Sequence, residues 1–181
     1  MKIILIGIQG SGKSTQGNLL SQKLGVPYIS SGQIFREMAK EESSWGKYVE
    51  ETLTAGHLIP DDKTIAIVEE YLHKPEYQKG YILDGFPRTV VQAKAFIDTI
   101  DKVLYLRVSD EEALKRLSLR IEKEQRGDDT ETAIQRRISL FHQATEPVLA
   151  YYRQKGLLRE VDGQRSIEEI QQDIQTQLGV T

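Results

Sequence analysis

The sequence predicts an α/β fold, a parallel sheet covered by helices on both faces. Three features carry that prediction. Short apolar runs rich in β-branched residues recur along the 181 residues. Segments with helical spacing of apolar residues follow them. Capping signals mark the ends of those segments. Alternating strands and helices of this kind bury a sheet on both sides.

In chain order, KIILIG (2–7) is the first buried strand. A helix follows, with Leu19, Leu20 and Leu24 spaced for one face and Gly25 where a terminating glycine belongs. VPYI (26–29) is a shorter, less apolar strand. Residues 30–59 interrupt the alternation: two short helices, about 32–41 and 46–55, are expected with no strand between them. GYILDG (80–85) and KVLYLRV (102–108) are further buried strands, and LLREV (157–161) is a fifth candidate. Ser109 with Glu112, and Ser166 with Glu169, fit the capping box that starts a helix. Residues 121–129, IEKEQRGDD, are highly polar, contain Gly127, and are expected as an exposed loop between two helices. There are no repeats and no low-complexity tail.

Composition narrows the function classes. The length suits one domain with small inserts. With 39% hydrophobic and 28% charged residues and a net charge of −3, general binding to nucleic acid or to an anionic membrane is disfavoured. The absence of cysteine excludes disulfides, thiolate zinc sites and cysteine nucleophiles. His57, His73 and His142 are far apart in sequence, which suits solvated or packing roles better than a metal cluster. The chain opens directly on a strand without a signal peptide, and no apolar run approaches the ~20 residues of a spanning helix. A cytoplasmic protein is expected.

The stretch GIQGSGKST, Gly7 to Thr15, cannot pack a core. It matches the phosphate-loop pattern G-x-x-x-x-G-K-[ST], follows a strand and opens a helix. Glycines let successive backbone N–H groups turn inward toward phosphate oxygens. Lys13 adds a mobile charge, and the helix that begins near it offers its positive end. Ser14 or Thr15 can position Mg²⁺ or hydrogen-bond phosphate; a plain strand-to-helix turn is the alternative. In YILDGFPRT (81–89), Asp84 ends a buried strand, where a metal-organising aspartate would sit; a capping or turn role is the alternative. Gly85 and Pro87 make a tight turn that would aim Arg88 at a planar anion. Arg36, Arg116, Arg120, Arg126 and Arg137 recur at element boundaries. Each alone fits a surface ion pair, and Arg116 and Arg120 share a helical face. Together with the glycine loop they suggest a highly anionic pair of substrates.

At this point the chain resembles the adenylate kinase family over essentially its whole length. The segments that carry the resemblance are GIQGSGKSTQ, ISSGQIFR, AGHLIPDD, GYILDGFPRTVVQA, RGDDTETAIQRRI, ATEPVLAYY and VDGQRSIEEI, in the family's order and spacing. The resemblance implies a P-loop fold with a five-stranded parallel sheet. It also implies a core of 1–29, 60–120 and 128–181, a monophosphate-binding insert at 30–59 and a short lid at 121–127 without structural zinc. By resemblance, Gly10, Ser11, Gly12, Lys13, Ser14 and Thr15 would hold the phosphates of ATP. Arg116, Arg120 and Arg165 would lie near ATP as well. Ser31, Arg36, His57, Leu58, Ile59, Gly85, Phe86, Pro87, Arg88 and Gln92 would line the AMP site, with Gln92 on the adenine edge. Arg126 and Arg137 would grip the phosphates during transfer, and Asp84 would organise Mg²⁺ through water.

Four positions depart from the family pattern. Gln33 stands where an aspartate is common, Ser14 where glycine is usual, His57 where lysine is frequent, and Leu119 where a glycine often precedes the lid arginine. The first predicts altered Mg²⁺ dependence, and the last a stiffer hinge. The implied reaction is ATP + AMP ⇌ 2 ADP by a monomer, in which Lys13, Arg88, Arg120, Arg126 and Arg137 surround the transferring group. A UMP/CMP kinase shares much of this pattern, but Ser31 and the TVVQA continuation favour AMP. A nucleotide-binding module without catalysis is the other alternative.

Overall fold

The structure, a computed structural model, describes residues 1–124 and 130–180. Five strands form one wholly parallel sheet: β1 (Lys2–Ile6), β2 (Tyr28–Ser30), β3 (Tyr81–Asp84), β4 (Lys102–Arg107) and β5 (Leu158–Asp162), in the order β2-β3-β1-β4-β5. Every strand candidate from the sequence is present. Helices α1 (Lys13–Leu24), α2 (Ser31–Met38), α3 (Ser44–Thr54), α4 (Asp61–Leu72), α5 (Val90–Ala95), α6 (Asp110–Glu124), α7 (Glu131–Leu140), α8 (Glu146–Gln154) and α9 (Ile167–Leu178) complete the described fold.

Strand pleat sorts the apolar runs into two cores. Ile4, Ile6, Tyr81, Leu83 and Val103 pack on one face with Val68 and Leu72 of α4 and Val148 and Tyr152 of α8. Ile3, Leu5, Ile82, Leu104, Leu106 and Val161 pack on the other with Leu20 of α1 and Ile170 and Ile174 of α9. Neighbours along a strand point to opposite faces, so a continuous apolar run is what a sheet covered on both sides requires. Each such side chain contributes about 1.5–3 kcal/mol on burial.

A third, small cluster of Phe35, Val49 and Ile59 holds α2 and α3 together outside the sheet. Both helices start on a serine: Ser30 accepts from the N–H of Gln33, and Ser43 from that of Gly46. No strand lies between them, as expected, although each begins one or two residues before the predicted start.

The structure corrects three local expectations. Leu19 is exposed; the buried face of α1 is Gln16, Gly17 and Leu20, and only Leu20 and Leu24 of the predicted stripe meet the core. The capping box at Ser109 is half made. The Glu112 N–H donates to Ser109 Oγ at 3.2 Å, but the Glu112 carboxylate turns to Arg116, one helical turn on. The Ser109 N–H instead donates to Gln164 Oε1 at 3.1 Å. At Ser166 and Glu169 the box is complete. Finally, α6 continues through Glu124, so the first four residues of the predicted loop are helical. Leu119 therefore lies within an uninterrupted helix. The remainder of that loop, 125–129, lies outside the described residues, as do residues 125–127 of the expected lid.

Connectivity creates the cleft. The chain leaving β1 crosses over β3 to reach β2, while the chain leaving β3 crosses over β1 to reach β4. The two connections depart in opposite directions at the carboxyl ends of adjacent strands, and such a switch point opens a ligand crevice.

Candidate active site

The crevice at the switch point is a cleft of about 550 Å³. Its floor is the loop 7–12, between β1 and α1. Gly12 holds φ of +91° immediately before α1, a left-handed conformation that turns the backbone N–H groups toward the cleft. The Lys13 ammonium folds over the loop and donates to the carbonyls of Gly7 (2.7 Å) and Ile8 (3.0 Å). Burial pushes the Lys13 pKa down; Asp84 opposes this, and Arg88 and Arg120 add to it.

The second wall comes from the chain after β3. Asp84 ends that strand beside Leu5 of β1 and is 7% exposed. Its Oδ2 accepts from the Tyr28 hydroxyl at 2.7 Å, and its Oδ1 is buried with no hydrogen-bond partner among the described residues. Burial, then the Asp84 carboxylate and its hydrogen bond, push the Tyr28 phenol far up, so it stays a donor. At Gly85, φ is +81° and an added Cβ would lie 2.7 Å from Ser31 Oγ and 3.0 Å from an Arg88 guanidinium nitrogen. Only glycine lets this turn fit beneath Arg88.

Arg88 is held at three points. Its Nε donates to the Gly85 carbonyl at 2.7 Å, its backbone N–H to Gln92 Oε1 at 2.7 Å, and its carbonyl accepts from Thr145 Oγ1 at 2.9 Å. Thr145 ends a π-helical turn, 141–145, that joins α7 to α8. Burial lowers the Arg88 pKa, opposed by Asp84 and reinforced by Arg137 and Arg36. Several cations thus line one cleft, an arrangement suited to a polyanion.

The structure brings most of the sequence candidates together. Gly10, Gly12, Lys13, Ser14, Thr15, Arg36, His57, Leu58, Asp84, Gly85, Pro87, Arg88, Arg116, Arg120 and Arg137 all line the cleft. Ser31, Ile59 and Gln92 line a smaller adjoining pocket that shares His57, Leu58, Gly85 and Arg88. Ser31 Oγ donates to the Gly85 carbonyl at 2.8 Å and ties α2 to the turn. Three candidates fall elsewhere. Ser11 is fully buried beneath the loop and lines neither pocket. Phe86 points into the core, edge-on to Phe96 at 5.2 Å, because its aromatic bulk is worth more buried than exposed. Arg165 is exposed, pairs with Asp173 and the Asp162 carbonyl, and lines neither pocket. Arg126 lies outside the described residues. Gln33 lines the cleft with its amide donating to Glu37 at 3.1 Å.

Sequence reasoning missed four contributors. Tyr28 steadies Asp84, Thr145 holds Arg88, and Gln9 accepts from Arg137 at 3.3 Å. Leu53 supplies a carbonyl to Arg137 at 2.9 Å, so the end of α3 meets α7 across the cleft. Arg136 strengthens that contact by donating to the Ala55 carbonyl at 2.6 Å and meeting His57 Nε2 at 3.1 Å. Tyr28 and Thr145 sit inside segments with distinctive sequence, but nothing local reveals a contact 56 or 57 residues away.

A parallel sheet with a glycine loop, its lysine and a strand-ending aspartate at the switch point defines a P-loop nucleotide-binding protein. Comparison with known proteins narrows the class. Residues 5–157 match the adenylate kinase family. A protein from Cyanothece sp. named adenylate kinase is 40% identical, the match covering 96% of this chain and 93% of its own. Adenylate kinases from Parvibaculum lavamentivorans and Syntrophotalea carbinolica are each 38% identical, covering 100% and 99% of this chain and 93% and 99% of their own. The chain belongs to the adenylate kinase family.

Proposed function

We propose that this chain moves the γ-phosphoryl group of ATP onto AMP, yielding two ADP. The observation that carries this reading is the convergence of Lys13, Arg36, Arg88, Arg120 and Arg137 with Asp84 in one cleft at the switch point. No protein nucleophile is required. A phosphate oxygen of AMP attacks the γ-phosphorus in line, the bond to the ADP leaving oxygen breaks, and positioning and charge neutralisation lower the barrier. Lys13 exchanges its loop carbonyls for phosphate oxygens. Arg88, its guanidinium aimed by the Nε–Gly85 hydrogen bond and its backbone pinned by Gln92 and Thr145, and Arg137 hold the phosphate being transferred, with Arg120 and Arg116 on the donor side and Arg126 added from the lid.

ATP lies along the loop 10–15, with the Arg165 region near its base. AMP occupies the side lined by Ser31, Arg36, the 57–59 segment, the turn Gly85–Arg88 and Gln92. The donor set fits hydrated Mg²⁺, because the buried, unpartnered Oδ1 of Asp84 can accept from a metal-bound water. Ser14 and Thr15, both exposed at the start of α1, offer a hydroxyl to the same ion. Among the described residues no group of three acidic or histidine side chains is arranged to hold a metal ion, so nucleotide phosphates and water would supply the other ligands. The ion would neutralise charge on the β- and γ-phosphates.

Residues 30–59 serve as the monophosphate-binding insert and close against α7 through Arg136 and Arg137, excluding water as an acceptor. The short lid, 121–127, would cover the donor side. A monomeric state belongs to the same proposal. No helix among the described residues is long and apolar enough to cross a membrane. Cytoplasmic residence belongs to the same proposal.

Arg88→Ala tests the reading. A transfer-site arginine is worth about 10³–10⁵ in rate, so turnover should collapse while the circular dichroism spectrum stays that of the parent. Turnover near that of the parent would refute it.

A further inference from the structure

Gln92 is almost wholly buried, and both ends of its amide are already in use. Its Oε1 accepts from the Arg88 backbone N–H at 2.7 Å. Its Nε2 donates to Asp61 Oδ1 at 2.8 Å. The same Asp61 oxygen accepts from Thr89 Oγ1 at 3.0 Å. Asp61 opens α4, and Thr89 caps α5 by accepting from the Gln92 N–H at 3.1 Å.

The chemistry of the two partners allows only one sense of the amide. A backbone N–H can only donate, so it must face Oε1. A carboxylate can only accept, so it must face Nε2. Flipping the amide would set donor against donor at Arg88 and acceptor against acceptor at Asp61. Each amide atom keeps capacity for one more bond: the second hydrogen on Nε2 and the second lone pair on Oε1. Gln92 lines a pocket together with Ser31, Ile59 and Thr64, and a ligand there would meet that remaining pair, one donor and one acceptor of fixed order.

We propose that Asp61 fixes the sense of the Gln92 amide and thereby makes the acceptor site select adenine over 6-oxopurines. Adenine presents an acceptor at N1 and a donor at its 6-amino group, which complement Nε2–H and Oε1. Hypoxanthine presents the reverse, a donor at N1–H and an acceptor at O6. A locked amide meets adenine with two hydrogen bonds and hypoxanthine with two mismatches, and leaving such groups unpaired is what gives polar sites their selectivity. This inference rests on the reading of that pocket as the AMP site. Asp61 is a positioning residue, acting through Gln92.

The test compares AMP and IMP as acceptors with Mg·ATP, for the parent and for Asp61→Asn. Asparagine keeps the shape but can donate or accept, so one of the two locks is lost. The ratio of kcat/KM for AMP to that for IMP should fall about tenfold, the size of one ordinary hydrogen bond. The change should sit in KM, because the base is read on binding. Asp61→Ser removes the acceptor-only character with less steric demand, and the same fall is expected should the asparagine variant not fold. A purely structural role for Asp61 would weaken both acceptors alike, and an unchanged ratio overturns the inference. Parent protein that makes no ADP from AMP refutes the kinase reading and this inference with it. Parent activity on AMP with an unchanged ratio in the variant refutes this inference alone.

Discussion

Replacing Tyr28 with phenylalanine isolates one hydroxyl at the heart of the site. The ring stays, packed over Gly17, while the 2.7 Å hydrogen bond to Asp84 Oδ2 is removed. Hydrogen bonds to charged groups contribute about 1.5–3 kcal/mol. The upper half of that range applies here, because Asp84 Oδ1 has no partner among the described residues to take up the load. For a chain of this length each kcal/mol moves Tm by about 2–4 °C, so the nucleotide-free protein should melt roughly 5–12 °C lower. Thermal unfolding followed by circular dichroism measures this directly. The second readout is the Mg²⁺ concentration for half-maximal velocity, which should rise because the carboxylate is no longer held in one orientation. A Tm within about 1 °C of the parent, with an unchanged Mg²⁺ requirement, would show that Tyr28 does not hold Asp84.

Further outcomes follow from other contacts. Gly17→Ala should destabilise the fold although alanine favours helix by about 0.8–1.0 kcal/mol. Its Cβ would lie 2.5 Å from Tyr28 and 2.8 Å from Leu5, and overpacking of this kind costs about 1–3 kcal/mol; a urea midpoint above that of the parent would contradict it. His142 sits between Glu146 at 2.8 Å and Asp110 at 3.0 Å, and the Glu146 hydrogen bond leads in raising its pKa above 6.5. Its contribution is therefore fully present below pH 6.5 and fades as pH rises through the raised value. The pair is half exposed, so the slope is small; His142→Gln should flatten it in urea midpoints taken across that range, and an identical slope would refute the assignment. Gln33→Asp should lower the Mg²⁺ concentration needed for half-maximal velocity, and an unchanged Mg²⁺ response would count against a role for Gln33.

The sheet was legible because its strands are buried on both faces. Ile3 to Ile6 form a continuous apolar run only because two helical layers cover β1. The phosphate loop was legible because its chemistry is local: glycine geometry, the lysine and the following helix all lie within nine residues. What escaped was non-local. Thr145 reaches Arg88, and Tyr28 reaches Asp84, across the sheet order rather than along the chain. Leu19 was misplaced because the buried face of α1 runs through Gln16, Gly17 and Leu20, and the amide of Gln16 finds the Ile167 carbonyl at 3.0 Å. The half-made box at Ser109 shows the same competition, with Arg116 taking the carboxylate that the motif assigns to the cap.

The most direct measurement quantifies the diphosphates formed from Mg·ATP with AMP, CMP, UMP or GMP in turn. The account predicts ADP with AMP, two molecules for each ATP consumed, and little product with the other acceptors. CDP or UDP as the main product would move the protein to the pyrimidine kinases. No diphosphate with any acceptor, despite ATP binding, would contradict phosphoryl transfer itself.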